Sequence, residues 1–149
     1  SIGKLIKKAN KAIKERTAKM GDAGVNDTYL QYEEVYKGID ERVKAARKLV
    51  ETDYVKAAQM MASVQDSKNF TIYEEFKAMD GNLDKFAKGY LASKTPEEAA
   101  LYREAMLRYK SAMVEVLDAS TQEERKAALG TLSGVMEDFS KRYKSLVTQ

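Results

Sequence analysis

Residues 25–64 read VNDTYLQYEEVYKGIDERVKAARKLVETDYVKAAQMMASV. Their apolar positions recur with alternating gaps of four and three: Val25, Tyr29, Tyr32, Tyr36, Ile39, Val43, Ala46 and Val50, then Ala57, Met60 and Val64. An average gap near 3.5 keeps one seam of a helix turned toward a partner helix, so the spacing predicts a long helix of coiled-coil type. Only Asp53, with Tyr54 beside it, fails on that register. Unbroken from Val25 to Val64, the helix would be about 60 Å long at ~1.5 Å per residue. A globule of this chain length has a radius of gyration of about 15 Å. The helix therefore demands an elongated bundle, a bend, or a partner chain beside it. Gly38, off the seam, and Asp53, on it, are the two places for a bend.

The same spacing continues downstream. Residues 65–69 (Gln, Asp, Ser, Lys, Asn) read as a turn, and after Phe70 a second seam takes Ile72, Phe76, Met79, Leu83, Phe86 and Tyr90. Gly81 and Asn82 in its middle predict a kink or break, and Gly89 weakens its far end. Thr95, Pro96 and Glu98 supply an N-cap, a proline at the first helical position and the acid of a capping box. Ala99, Tyr102, Met106, Tyr109, Met113 and Val116 form the third seam, and Ser120 with Glu123 reads as another start signal. Ala128, Leu132, Val135, Phe139, Tyr143 and Leu146 line a last helix, in which Gly130 and Gly134 either permit close approach of another helix or merely weaken it. With 149 residues, 44% hydrophobic and 33% charged, one Pro and eight Gly, the chain suits one helical domain and not a disordered tail or a turn-rich β protein. The expected fold class is all-α: an elongated antiparallel helical bundle or coiled coil of about four helices over residues 25–149, preceded by an amphipathic basic helix over residues 1–20.

Charge sets that first segment apart. The chain carries 26 basic and 23 acidic side chains, a net charge of +3. In residues 1–20, Lys4, Lys7, Lys8, Lys11, Lys14, Arg16 and Lys19 oppose Glu15 alone, giving +6 there and −3 for the remainder. On a helical wheel Ile2, Leu5, Ile6, Ala9, Ile13 and Met20 fall in one stripe, with the lysines opposite; Arg16 is the one charge inside the stripe. Such a helix suits a membrane interface, where apolar side chains sink in and each lysine contributes about 1 kcal/mol against anionic headgroups. The alternatives are that the stripe packs on the body with its lysines solvated, or that a partner protein captures it. Gly21 and Gly24, with Asp22 and Asn26, read as a breaker that separates the segment from the body.

Most familiar catalytic chemistry is excluded by residue type. The chain has no Cys, no His and no Trp, so disulfides, Cys or His metal sites, thiol nucleophiles, a Ser-His-Asp triad and a histidine-dependent di-iron bundle are all ruled out. Asp80, Asn82 and Asp84 share the opening spacing of an EF-hand loop, but Lys85 stands where that loop needs Gly and Leu91 where it needs Glu. The acid pairs Glu33–Glu34 and Glu74–Glu75 have no converging nucleophile and read as solvated helix faces. Seven of the nine tyrosines sit on the seams, which makes them core residues before they are stacking platforms for nucleic acid. No run of 18 apolar residues and no secretory signal pattern occurs. Ser1 reads as the product of initiator Met removal or as the start of an excerpt.

The lysine-rich start ending in Lys19, Met20 and Gly21, the short polar linker, and then Asp27, Tyr29, Tyr32, Glu33, Tyr36, Val43, Arg47 and Leu49 together resemble the BAR domains that begin with an amphipathic helix, as in amphiphysins and endophilins. Residues 70–91 look like the opening of that family's second helix, and Arg108, Tyr109, Lys110, Ser111 and Ala112 lie where its tyrosine-containing stretch falls. The chain is shorter than the family's domains, and Thr95 and Pro96 interrupt where the second helix would run on. The resemblance implies an antiparallel homodimer, a curved lipid-facing surface and insertion of residues 1–20.

The expectation is therefore a non-enzymatic, cytoplasmic, peripheral membrane protein, a candidate curvature-sensing or membrane-shaping homodimer, without cofactors or nucleic acid. Ile2, Leu5, Ile6 and Ile13 insert while Lys4, Lys7, Lys8, Lys11 and Lys14 attract an anionic membrane surface. The alternative is a helical protein–protein interaction module, an adaptor or assembly subunit, whose first helix docks on protein. For the body, Arg42, Lys44, Arg47, Lys48, Arg103, Arg108, Lys110, Lys141, Arg142 and Lys144 are the candidates for a basic face.

Overall fold

Where the first seam fails at Asp53, the chain turns. The computed structural model describes Lys4, Lys7 and residues 23–148, and among the described residues from Ala23 onward it has five helices: α1 (Ala23–Leu49), α2 (Tyr54–Gln65), α3 (Phe70–Ala92), α4 (Pro96–Asp118) and α5 (Gln122–Val147). The all-α class stands. The first expected helix is two, which raises the number from four to five. Asp53 explains the break: with φ −150° and ψ 84° its side chain accepts from the Lys56 N–H at 3.0 Å, so it caps α2 instead of continuing α1. The Asp53 N–H closes the end of α1 on the Leu49 carbonyl at 2.7 Å. Gly38, the other candidate for a bend, lies inside α1.

The chain divides into two compact units. One takes α1 up to Tyr29 together with residues from Met79 onward; the other is Leu30–Ala78. In the second, α2 runs back beside α1, with Arg42 donating to Ser63 Oγ at 3.0 Å. Its core is Ile39, Val43, Val64 and Tyr73, with Val35, Tyr36, Met61 and Phe70 packed against it. Tyr36 stacks on both Tyr73 and Phe76, at 5.3 and 4.8 Å between ring centroids, and Tyr73 Oη donates to Asp40 at 3.3 Å. Tyr73, not Ile72, is the buried residue here; a seam started one position later brings the phenol within reach of Asp40. The turn expected over residues 65–69 is present between α2 and α3, where Ser67 Oγ accepts from the Asn69 N–H.

In the other unit α4 and α5 form an antiparallel pair. Thr95 caps α4 through the Glu98 N–H at 3.1 Å, and Pro96 opens the helix. The cap of α5 is Thr121, bonded to the Glu124 N–H at 3.1 Å, and not Ser120 with Glu123. Ser120 instead gives its own N–H and Oγ–H to the Glu124 carboxylate, the reciprocal part of the motif displaced by one residue. No break falls at Gly81 and Asn82, since α3 is continuous from Phe70 to Ala92. Met79 and Leu83 are buried on either side, and Asn82 Nδ2 donates to Tyr109 Oη at 3.2 Å, so packing outweighs the ~1 kcal/mol that a helical glycine costs. Gly89 is required by its neighbour, because a Cβ there would collide with the Tyr102 ring. Phe86 meets Tyr109 and Phe139 edge-on, and Tyr102 lies 5.0 Å from Phe139, joining α3, α4 and α5 through one aromatic cluster.

Candidate functional site

Of the nine residues expected at the membrane, Lys4 and Lys7 are helical and exposed. Ile2, Leu5, Ile6, Lys8, Lys11, Ile13 and Lys14 lie outside the described residues, as do Gly21 and Asp22. Of the breaker expected over Gly21, Asp22, Gly24 and Asn26, the last two are helical: α1 already begins at Ala23, and Asn26 is buried within it. Helical backbone is available there because Asn26 has a tertiary bond to offset its weak propensity.

That bond belongs to a feature that the sequence pattern did not reveal. Lys110, counted among the basic surface residues, is 2% exposed. Its Nζ donates to Asn26 Oδ1 at 3.2 Å and stands 4.4 Å above the Tyr29 ring, while Tyr29 Oη donates to Asp80 at 3.2 Å. A buried ammonium is tolerated only when it is hydrogen-bonded, and the negative face of an aromatic ring adds to its stabilisation. The chain α4–α1–α3 of Lys110, Asn26, Tyr29 and Asp80 thus fixes which residues of three helices stand opposite one another. A signal was present: Met106, Met113, Val114 and Leu117 lie at i−4, i+3, i+4 and i+7 from Lys110 and are all buried. The neighbouring Tyr109 phenol is pushed up from its ordinary value by burial and by Asp80, against the Asn82 bond, which lowers it.

Four of the other nine basic candidates are engaged by neighbours. Arg108 pairs with Asp138 at 2.8 Å; Arg142 bonds both carboxylate oxygens of Glu104 at 3.2 Å and reaches Asp138 at 3.2 Å. These four residues form a ladder of alternating charge between α4 and α5. Lys44 pairs with Asp40 at 2.9 Å, and Arg42 is held by Ser63. Arg47 lines a groove of about 350 Å³ in the Leu30–Ala78 unit, with Val43, Met61, Phe70, Tyr73 and Lys77. Asp80, Asn82 and Asp84, the partial calcium spacing, lie along continuous helix; Asp80 accepts from Tyr29, Asn82 donates to Tyr109, and Asp84 pairs with Lys88 at 3.1 Å. Among the described residues no helix is long and apolar enough to cross a membrane, and no group of three or more acids is arranged to hold a metal ion. Comparisons with protein families, with curated proteins and with solved structures find no match.

Proposed function

We propose that the chain is a non-enzymatic peripheral membrane protein whose first twenty residues enter the interface of an anionic bilayer, carried by a helical, homodimeric body of antiparallel helices. The observation that carries this reading is the segregation of charge: +6 in residues 1–20 and −3 in the rest. The ladder of Arg108, Asp138, Arg142 and Glu104 supports it, because cations already paired with carboxylates add little attraction for lipid phosphate. Attraction then falls to Lys4, Lys7, Lys8, Lys11 and Lys14, and insertion to Ile2, Leu5, Ile6 and Ile13. The resemblance to BAR domains with an amphipathic start is in keeping with this, and adds the proposal of a curvature-sensitive dimer. Sedimentation of the full chain with phosphatidylserine-containing and with neutral vesicles tests it. Binding to anionic vesicles that weakens with salt and is lost in Leu5→Glu/Ile6→Glu is the expected result; equal binding by that variant removes the proposal.

A second reading, a protein-interaction module, is favoured by the groove lined by the apolar Val43, Met61 and Phe70 together with the charged Arg47, Glu74 and Lys77. A chain that stays monomeric at high concentration and binds no protein would count against it.

A further inference from the structure

We infer that the turn between α1 and α2 is a second lipid contact, in which Val50, Tyr54 and Val55 enter the interface of an anionic membrane; this rests on the membrane reading above. Among the described residues five large hydrophobic side chains are well exposed, and three fall at this turn and the first residues of α2: Val50 at 50%, Tyr54 at 72% and Val55 at 66%. Turns are ordinarily made of Gly, Asn, Asp and Ser, whose backbones and side chains suit reversal. Here the chain reverses on Val50, Glu51, Thr52 and Asp53, and exposed aliphatic and aromatic groups flank the three polar residues, Val50 on one side and Tyr54 and Val55 on the other. The fold explains how they come outside. Val50 is next on the buried series Val43 and Ala46, but α1 ends at Leu49, so it leaves the core face.

Charge around the turn selects the occupant. Arg47, Lys48 and Lys56 are exposed beside it, against the acids Glu51 and Asp53, while Lys44 is held by Asp40. The Asp53 carboxylate is engaged with the first turn of α2 at the Lys56 N–H. Apolar tips ringed by cations fit a surface that is hydrocarbon below and anionic above, and tyrosine is suited to that boundary by its apolar ring and polar tip. A second copy or another protein fits less well: a stable protein interface buries about 800 Å² per partner, drawn from roughly 20–30 residues a side. Three side chains within six positions fall far short of that.

The chain contains no Trp, so Tyr54→Trp and, in a separate chain, Leu5→Trp each introduce a single reporter into the full-length protein. Both are mixed with phosphatidylserine-containing vesicles, with and without bromine-labelled acyl chains, and with neutral vesicles. Blue-shifted emission of Trp at position 54 that is quenched by the bromolipid, on anionic vesicles only, supports the inference. It also predicts that Val50→Glu/Val55→Glu weakens vesicle binding about tenfold with helical content unchanged. Quenching at position 5 without quenching at position 54 overturns the inference and leaves the membrane reading standing. Quenching at position 54 alone supports the turn as the contact and removes the first segment from it. Absence of quenching at both positions overturns the two together.

Discussion

Lys110 places its ammonium 4.4 Å above the ring of Tyr29, in a site where the lysine is 2% exposed. The same Nζ donates to Asn26, one helical turn before Tyr29, so a single side chain of α4 reads two residues of α1. Asn26→Ala is expected to lower stability by about 1.5–3 kcal/mol, the range for a lost hydrogen bond to a charged group, with the Tyr29 ring still beneath the ammonium. Lys110→Met keeps the volume and is expected to cost about 1–3 kcal/mol for the amide left unsatisfied. In urea melts, Lys110→Met combined with Asn26→Leu should cost clearly less than the sum of the single changes; strict additivity would show that the contact is energetically empty.

Glycine substitutions separate packing from propensity. Among the described residues nothing lies within 4 Å of a Cβ built at Gly130 or Gly134, so none of the described helices makes use of the missing side chains. Alanine at either is expected to stabilise by roughly 0.5–1 kcal/mol. Gly89→Ala should destabilise by about 1–3 kcal/mol, because Tyr102 is held by Phe139 and Tyr143 and has little room to retreat. Thermal unfolding of the three variants checks the opposite signs.

Caps give a graded series. Thr95→Ala and Thr121→Ala each remove a side-chain acceptor from an N3 amide and should cost about 1 kcal/mol. Asp53→Ala should cost a similar amount by the same argument, and Asp53→Leu more informatively restores an apolar residue to the failed position of the first seam. Helical content that rises in Asp53→Leu, with loss of the Arg42–Ser63 pairing in chemical-shift or cross-linking data, would mark fusion of α1 and α2 into one helix. Unchanged pairing would show that the core of Val43 and Val64 fixes the reversal without the cap.

Much of the fold is legible because its signals are local. Thr95 and Pro96 announce a helix start with only neighbouring atoms, and Tyr29, Ile39, Val43 and Ala46 reveal a seam by spacing alone. Asp53 is visible as an interruption, yet choosing between it and Gly38 needs the return contact of Ser63 with Arg42, twenty-one positions away. Gly81 and Asn82 mislead for the converse reason: propensity is a local penalty, and the Tyr109 hydroxyl that rewards Asn82 is remote in sequence. Lys110 is hidden by its own identity, since lysine is read as surface unless the apolar residues around its helical position are weighed first. For the first segment the charge and the stripe are the whole of the signal.

Alkaline titration supplies a further check. Burial raises the phenols of Tyr73, Tyr102 and Tyr109 above the ordinary 10.0; Asp40 adds to the rise at Tyr73, Tyr143 at Tyr102, and Asp80 at Tyr109. A raised folded-state value means that the native protein holds protons which the unfolded chain has released. The corresponding stability is fully present below about pH 10 and is lost as pH rises through the native values. Unfolding free energy should therefore fall above about pH 10, and by less in Tyr109→Phe than in the parent. Phenolate absorbance, undisturbed by Trp in this chain, should show a late-titrating set that merges with the rest once the protein is unfolded by denaturant.

Helix α4 buries Ala105, Met106, Tyr109, Lys110, Ala112, Met113, Val114, Val116 and Leu117, whereas α5 buries only Ala128 and Val135 among its described residues. The two helices are of similar length and lie against each other, but their amide protons should leave on different schedules. Those of α5 can exchange when the helix frays from its partner, breaking the exposed ion-pair ladder and the ring contacts of Phe139 and Tyr143 but exposing few fully buried residues. Those in the second half of α4 must wait until the surrounding core opens, so their slowest exchange reports the global stability of that unit.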